Sequence, residues 1–266
     1  MVRQPAVAGR FYKSDAEALR EELAELMPKN GSEKAIGIVA PHAGFIYSGK
    51  VAGSVYGQLQ IPSSVIVLCP NHTGMGSAAA LFPTGQWDTP LGPVPINSRL
   101  SKLILKHVPL LKEDELAHRF EHSLEVQLPF LMYRNPEVSI AALCLSSYDF
   151  ESCRDIGEGI VQAIREYGEE VLIVASSDMT HYESDDAARV KDDIALSQVL
   201  ALNPEGLLTS CRQQWISMCG VVPTTVMMVA AKALGATRAR LDSYATSGDV
   251  TGDRRRVVAY AGVTLF

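Results

Sequence analysis

Residues 36–44 read Ile-Gly-Ile-Val-Ala-Pro-His-Ala-Gly, an apolar run followed at once by a loop that carries a histidine. Residues 65–73, Val-Ile-Val-Leu-Cys-Pro-Asn-His-Thr, repeat this arrangement, and so do residues 171–181, Val-Leu-Ile-Val-Ala-Ser-Ser-Asp-Met-Thr-His. Short continuous apolar runs of this kind are typical of strands that are buried on both faces of a sheet. The first five residues of each stretch are therefore predicted to form a strand, followed by a loop that carries histidine or aspartate side chains.

The rest of the chain alternates strand and helix patterns around these three stretches. Further strands are predicted over 138–145 and 257–265, and helices near 15–27, 49–60, 99–107, 122–134, 153–167, 184–202 and 222–234. The alternation predicts an α/β fold with a central mixed, mostly parallel sheet flanked by helices. No linker, repeat or low-complexity tract divides the sequence, so one domain over residues 1–266 is expected.

Two regions interrupt the regular alternation. Pro129 lies inside the predicted helix over 122–134, and it should kink or split that helix because proline lacks a backbone N–H. Residues 81–97 contain four prolines and are predicted to form an irregular or antiparallel excursion from the sheet.

Composition excludes several broad classes of protein. The chain has 24 basic and 30 acidic residues, a net charge of −6, and it lacks the basic stripe expected of a nucleic-acid binder. No apolar stretch is long enough to cross a membrane, and no secretory leader is recognisable at the start. The five cysteines are odd in number and form no C-x-x-C pair. These features predict a cytoplasmic protein without a disulfide framework.

The positions of the reactive side chains predict a shared site. The carboxyl ends of neighbouring parallel strands meet at one edge of an α/β sheet, where ligands usually bind. His42, His72, Asp178 and His181 all follow predicted strands, so we expect them to converge at that edge. Neutral imidazoles together with an anionic group are typical ligands of divalent transition metals.

Residues 118–122, His-Arg-Phe-Glu-His, allow a different interpretation. The pattern H-x-x-E-H matches a family of zinc peptidases, in which both histidines of a helix bind zinc and the glutamate acts as a base. Alternatively, these residues form a solvated helix start, or only Glu121, His122 and Ser123 belong to a site, with Ser123 as the N-cap.

Cys219 directly precedes the helix predicted over 222–234. A thiol at a helix N-terminus is acidified by the helix dipole, which would favour a thiolate and therefore metal binding or nucleophilic attack. The alternative is an unreactive buried cysteine, the usual environment of a free thiol.

Several short motifs, in order, resemble those of the Memo family, known in prokaryotes as AmmeMemoRadiSam system protein B. The matching segments span nearly the whole sequence: Arg3–Tyr12, Ala40–Gly44, Cys69–His72, Glu121–Glu125, Gln127–Pro129, Ser176–His181 and Met218–Gly220. The resemblance implies a fold similar to the catalytic subunit of class III extradiol dioxygenases, which use non-haem Fe(II) to cleave aromatic rings.

The resemblance also implies a set of site residues. His42, His72 and Cys219 would bind the metal, with Asp178 and His181 beside it and His122 nearby. A thiolate ligand favours Fe(II) or a copper ion, and zinc is the less expected metal. His181 is the expected acid or base, and Asp178 would complete the metal shell or orient a histidine.

Two functions follow as hypotheses. The first is a cytosolic metal-dependent redox protein, an oxygenase-like enzyme acting on a small molecule, for which an aromatic compound is a candidate. The second is a non-catalytic protein on the same fold, an adaptor that binds a ligand or peptide. The prokaryotic family name adds an AMMECR-type protein and a radical SAM enzyme as candidate partners, and a symmetric homodimer is a further expectation.

Overall fold

The structure, a computed structural model, describes residues 1–27 and 30–266. Its strands are β1 (Val2–Arg3), β2 (Gly37–Ala40), β3 (Ser64–Pro70), β4 (Ala79–Leu81), β5 (Gln86–Thr89), β6 (Gly92–Pro95), β7 (Lys112–Glu113), β8 (Ser139–Leu145), β9 (Val171–Ser176), β10 (His181–Glu183), β11 (Ala239–Thr246) and β12 (Val257–Leu265). Its α-helices are α1 (Ala16–Leu26), α2 (Phe45–Tyr56), α3 (Ser98–His107), α4 (Leu128–Arg134), α5 (Phe150–Tyr167), α6 (Asp185–Leu200), α7 (Pro204–Gln213), α8 (Val221–Ala233) and α9 (Gly248–Thr251). Two short 3₁₀ helices cover Leu116–His118 and Glu125–Gln127.

The main sheet has a parallel centre and antiparallel edges. Its strand order is β10-β12-β2-β9-β3-β8-β4-β7, with β11 also paired to β12. The four central strands β2, β9, β3 and β8 are parallel neighbours, whereas β12 and β4 run antiparallel to β2 and β8. The predicted α/β class with a mixed sheet is confirmed. A separate sheet of order β1-β5-β6 lies outside it.

Side-chain alternation along the central strands explains their continuous apolar sequence. On β3, Ile66 and Leu68 pack on one face of the sheet, and Val65 and Val67 pack on the other. The first face is covered by α3, α5, α6, α7 and α8, and the second by α1, α2 and α4. Because both faces are covered by helices, both sets of alternating positions must be apolar.

Several predicted elements are shifted or divided in the structure. Helix α2 begins at Phe45, four residues before the predicted start at 49, so it follows the His42 loop almost directly. Pro129 lies in the first turn of α4, and the preceding turn is a 3₁₀ helix, which confirms the predicted division. The excursion over 81–97 contains the antiparallel pair β5 and β6, in which Trp87 lies opposite Val94. Helix α7 and strand β11 were not predicted.

Within the described ranges, every helix is too short or too polar to traverse a bilayer.

Candidate metal centre

The carboxyl ends of β2, β9 and β3 bring the candidate residues to one edge of the sheet. In the parallel register, Ala40 on β2 lies beside Ser176 on β9, so the loops that follow these two strands are adjacent. The backbone N–H of His42 donates a hydrogen bond to Asp178 Oδ1 at 2.8 Å. The convergence expected from the strand positions is therefore present in the structure.

Three histidines face one another at this edge. The ring centroids of His42 and His72 are 5.2 Å apart, and that of His122 lies 5.5 Å from His42 and 5.0 Å from His72. One ring nitrogen from each of the three lies within 4.8 Å of the others. The resemblance placed His122 only near the metal. In the structure, its ring lies about as far from the His42 and His72 rings as those two rings lie from each other.

The hydrogen bonds of His42 determine which of its nitrogens is protonated. Its Nδ1 lies 2.9 Å from Ser176 Oγ. That hydroxyl donates its only hydrogen to the Ser123 carbonyl at 2.7 Å and accepts a hydrogen bond from Gln127 Nε2 at 2.8 Å. Nδ1 of His42 must therefore donate, which leaves Nε2 unprotonated. Burial and the neighbouring His72 lower the pKa of His42 well below its usual value, so the ring is neutral.

A buried carboxylate orients His72 in the same way. His72 Nδ1 lies 2.9 Å from Glu121 Oε1, and the His72 backbone N–H donates to Glu121 Oε2 at 2.6 Å. Because a carboxylate only accepts, Nδ1 donates, and Nε2 is the nitrogen that carries the lone pair when the ring is neutral. Burial alone would raise the pKa of Glu121, but the hydrogen bond from His72 lowers this pKa to about 2. Although burial lowers the pKa of His72, its interactions with Glu121 raise it overall.

Cys219 contacts His42 from the start of α8. Its Sγ lies 3.3 Å from His42 Nε2 and accepts a hydrogen bond from the Asp178 backbone N–H at 3.3 Å. Gly220 allows this approach, because a Cβ there would lie 2.3 Å from the Ser176 carbonyl oxygen. Burial and the Asp178 carboxylate raise the pKa of the Cys219 thiol, so the expected acidification by the helix N-terminus is wrong for the protein alone.

The zinc-peptidase interpretation of residues 118–122 is wrong. It requires a helix that presents His118 and His122 on one face, but the 3₁₀ helix ends at His118. The His118 ring is fully buried, and its centroid lies 5.6 Å from that of Phe82 and 5.8 Å from that of Trp87. His118 is therefore part of the apolar packing, while His122 belongs to the histidine cluster.

His118 is expected to make stability depend on pH. Burial, and then the Arg3 guanidinium, lower its pKa to about 4, whereas the unfolded residue titrates near 6.5. Between these values the unfolded chain binds more protons, so acidification favours unfolding. Lowering the pH from 7 to 5 should therefore reduce the free energy of unfolding by about 2 kcal/mol through protonation of this histidine in the unfolded chain. Urea unfolding of the wild type and His118→Leu checks this, and an equal pH dependence in both proteins would contradict it.

The cluster opens into a cleft with a volume of about 850 Å³. His181 lines this cleft, and its Nδ1 lies 3.0 Å from the Ser217 carbonyl oxygen, which can only accept. Nδ1 therefore donates, which leaves Nε2 of His181 as the acceptor nitrogen of the neutral ring. Asp178 is buried at the base of the cleft, and burial raises its pKa. All six residues assigned from the sequence, His42, His72, His122, Asp178, His181 and Cys219, thus lie in or against this site.

A second buried carboxylate anchors the N-terminal arm beside the cleft. Glu125 accepts hydrogen bonds from the Arg3 guanidinium, from the Ala6 and Val7 backbone N–H groups at 2.8 and 3.0 Å, and from the Tyr12 hydroxyl at 2.7 Å. The arm then places the Phe11 ring 5.0 Å from the His122 ring. Sequence reasoning assigned roles to neither Glu125 nor Ser176 nor Gln127, because their function depends on distant partners.

Comparisons with known proteins agree with this fold. An uncharacterized protein from Escherichia coli K12 has a similar solved structure, with a TM-score of 0.56, 13% identity, and coverage of 87% of this chain and 100% of that one. A MEMO1 family protein of Aquifex aeolicus is 44% identical, covering 98% of both chains. One from Methanothermobacter thermautotrophicus is 41% identical, covering 98% of this chain and 99% of its own. The family model of Memo-like proteins matches residues 3–264. The chain therefore belongs to the Memo family.

Proposed function

We propose that this protein is a metal-dependent redox protein, an oxygenase-like enzyme that binds Fe(II) or copper through His42, His72 and Cys219. The observation that carries the proposal is the hydrogen bonding of the two histidines, whose Nδ1 atoms both donate to fixed acceptors. Each ring is thus oriented so that its neutral form presents the Nε2 lone pair, the form in which histidine binds metals.

The chemical types of the proposed donors suit a soft transition metal. Cys219 Sγ lies 3.3 Å from His42 Nε2, a separation compatible with two donors bound to one ion. Two imidazoles and a thiol suit Fe(II) or copper better than a hard cation such as Mg²⁺. When bound, the ion would supply Lewis acidity, electron transfer and the positive charge that deprotonates a buried thiol.

The remaining site residues have separate roles. His181 lines the cleft with its Nδ1 held by the Ser217 carbonyl, so Nε2 is the atom through which it would exchange a proton with a bound substrate. His122 also lines the cleft, and burial lowers its pKa, so it can act as a second base. Asp178 positions His42, because its Oδ1 accepts the His42 backbone N–H.

Metal analysis of two single variants tests the choice of ligands. Cys219→Ala should lower metal affinity by more than about 100-fold, because it removes a donor of the set. His122→Ala should keep the metal, because its Nδ1 lies 3.5 Å from Glu121, a weaker orienting contact than that of His72. Elemental mass spectrometry after anaerobic reconstitution with Fe(II) or Cu(I) gives the stoichiometry. If Cys219→Ala kept the metal and His122→Ala lost it, the three histidines would be identified as the ligands.

Cellular setting and partners are proposed on separate grounds. The five cysteines are free, which suits the reducing cytoplasm. We propose a small aromatic molecule as ligand, and an AMMECR-type protein, a radical SAM enzyme and a second copy of the chain as protein partners, without a role for nucleic acid or a membrane. The adaptor function is the second candidate, favoured by the exposed aromatic side chains Tyr47 and Tyr182 at the cleft. Oxygen consumption by the metal-loaded protein with aromatic substrates would distinguish the two.

A further inference from the structure

We propose that the ligand of the cleft is an anionic aromatic molecule, and that Arg256 recognises its carboxylate or phosphate group. This inference rests on the proposed function, because it names the class of ligand that the same site would take. It is carried by the charges of the cleft, by the conformation of Tyr182 and by the apolar wall beside the histidine cluster.

Arg256 differs from the two arginines that precede it. Arg254 pairs with Asp185 at 2.8 Å and with Asp249 at 2.7 Å, and Arg255 pairs with Asp253 at 2.7 Å. Arg256 lines the cleft, and within residues 1–27 and 30–266 it makes no ion pair or hydrogen bond. Its guanidinium is therefore available to an anionic ligand, in the planar geometry that suits carboxylate and phosphate oxygens.

Tyr182 positions Arg256 at the edge of the cleft. The Arg256 guanidinium carbon lies 5.7 Å from the centroid of the Tyr182 ring. Tyr182 has a φ of +61°, a left-handed conformation that is unfavourable for a tyrosine and typical of functional sites. It lies at an irregularity of β10, between His181 paired to Val258 and Glu183 paired to Val257. Its flanking pairs therefore keep the exposed ring beside the guanidinium.

The other charges of the cleft leave room for an anion. Its two acidic residues are already engaged, Asp253 with Arg255 and Asp178 with the His42 backbone. Arg10 also lines the cleft, and its guanidinium donates to the Ala6 carbonyl oxygen at 2.9 Å. Because Arg255 balances the charge of Asp253 and Asp178 is buried, the exposed charges of the cleft are those of the Arg10 and Arg256 guanidinium groups, which attract anions.

The apolar part of the cleft lining is suited to an aromatic ring. Phe11, Tyr47 and Tyr260 line the cleft, and Phe11 contacts His122 edge-on. Ile46 and Tyr47 are partly exposed there, with 70% and 39% of their surfaces accessible. Apolar and aromatic walls with a few fixed polar groups are typical of small-molecule sites. A flat ring on this wall could place its anionic group at Arg256 and its other end at the histidine cluster.

Calorimetric titration of the full chain with three simple probes tests the inference. The probes are benzoate, phenyl phosphate and the neutral benzamide. Wild-type protein should bind at least one of the two anions about tenfold more tightly than benzamide, and Arg256→Gln should remove that preference. Preference for benzoate would identify a carboxylate ligand, and preference for phenyl phosphate a phosphorylated one. Equal affinity for all three probes would overturn the inference.

A matched control and a metal assay separate this test from the proposed function. Arg119 also stacks on an exposed ring, with its guanidinium carbon 5.3 Å from the Phe120 centroid, but it lies outside the cleft. Arg119→Gln should keep the wild-type preference, and an equal loss in both variants would overturn the role of Arg256. Metal content is measured on the same preparations. If the protein retains metal but shows no preference for anions, only this inference is overturned. If it takes up no metal but binds anions in a manner that depends on Arg256, this inference is supported and the metal proposal is overturned.

Discussion

Replacing His42 by alanine is expected to abolish metal binding while the fold is retained. His42 faces every other candidate donor: its Nε2 lies 3.3 Å from Cys219 Sγ, and its ring lies beside both His72 and His122. Its removal therefore disrupts a site formed by His42, His72 and Cys219, and equally a site formed by His42, His72 and His122. We expect affinity for Fe(II) or Cu(I) to fall by more than about 100-fold, measured by elemental analysis after reconstitution.

His107 provides the control for this variant. It lies on α3, where its Nε2 contacts Glu166 at 2.6 Å, and it does not line the cleft. His107→Ala should keep the wild-type metal content, which would exclude a general effect of losing a histidine. Circular dichroism and the thermal midpoint establish that both variants are folded. Full metal occupancy in folded His42→Ala would refute the proposed centre.

Replacing Glu125 by alanine is expected to cost about 3–5 kcal/mol of unfolding free energy. Glu125 is fully buried, and its carboxylate binds the Arg3 guanidinium, which is itself 5% exposed. Without it, Arg3 is left as an unpaired buried charge, and the backbone N–H groups of Ala6 and Val7 lose their acceptor. Equilibrium unfolding in urea measures the difference from the wild type.

Two further variants delimit the effect of Glu125. Glu125→Gln keeps one oxygen acceptor but removes the charge, so its free energy of unfolding should lie between those of the wild type and the alanine variant. Glu170→Ala removes an exposed ion pair with Lys34, and it should change stability by less than about 1 kcal/mol. If Glu125→Ala were no more destabilising than Glu170→Ala, the arm would not depend on this carboxylate.

The strands show how far local sequence predicts this fold. The apolar runs at 65–69 and 171–175 predict β3 and β9 within a residue or two, because a strand buried on both faces has no polar position to obscure its pattern. The partly exposed β11 has no such run, and it was not predicted. Helix α2 starts earlier than predicted because its N-cap is Gly44, directly after the His42 loop, and glycine has no polar side chain that would mark the start.

By itself, the sequence determined the α/β class, the central strands and the edge of the sheet at which His42, His72, Asp178 and His181 meet. These follow from short-range patterns and from the geometry of parallel strands. Only the tertiary structure decided that His122 faces His42 and His72, that Glu121 orients His72, and that Glu125 anchors the arm. It also decided that the Cys219 thiol has a raised pKa, because desolvation depends on side chains that are distant in sequence and adjacent only after folding.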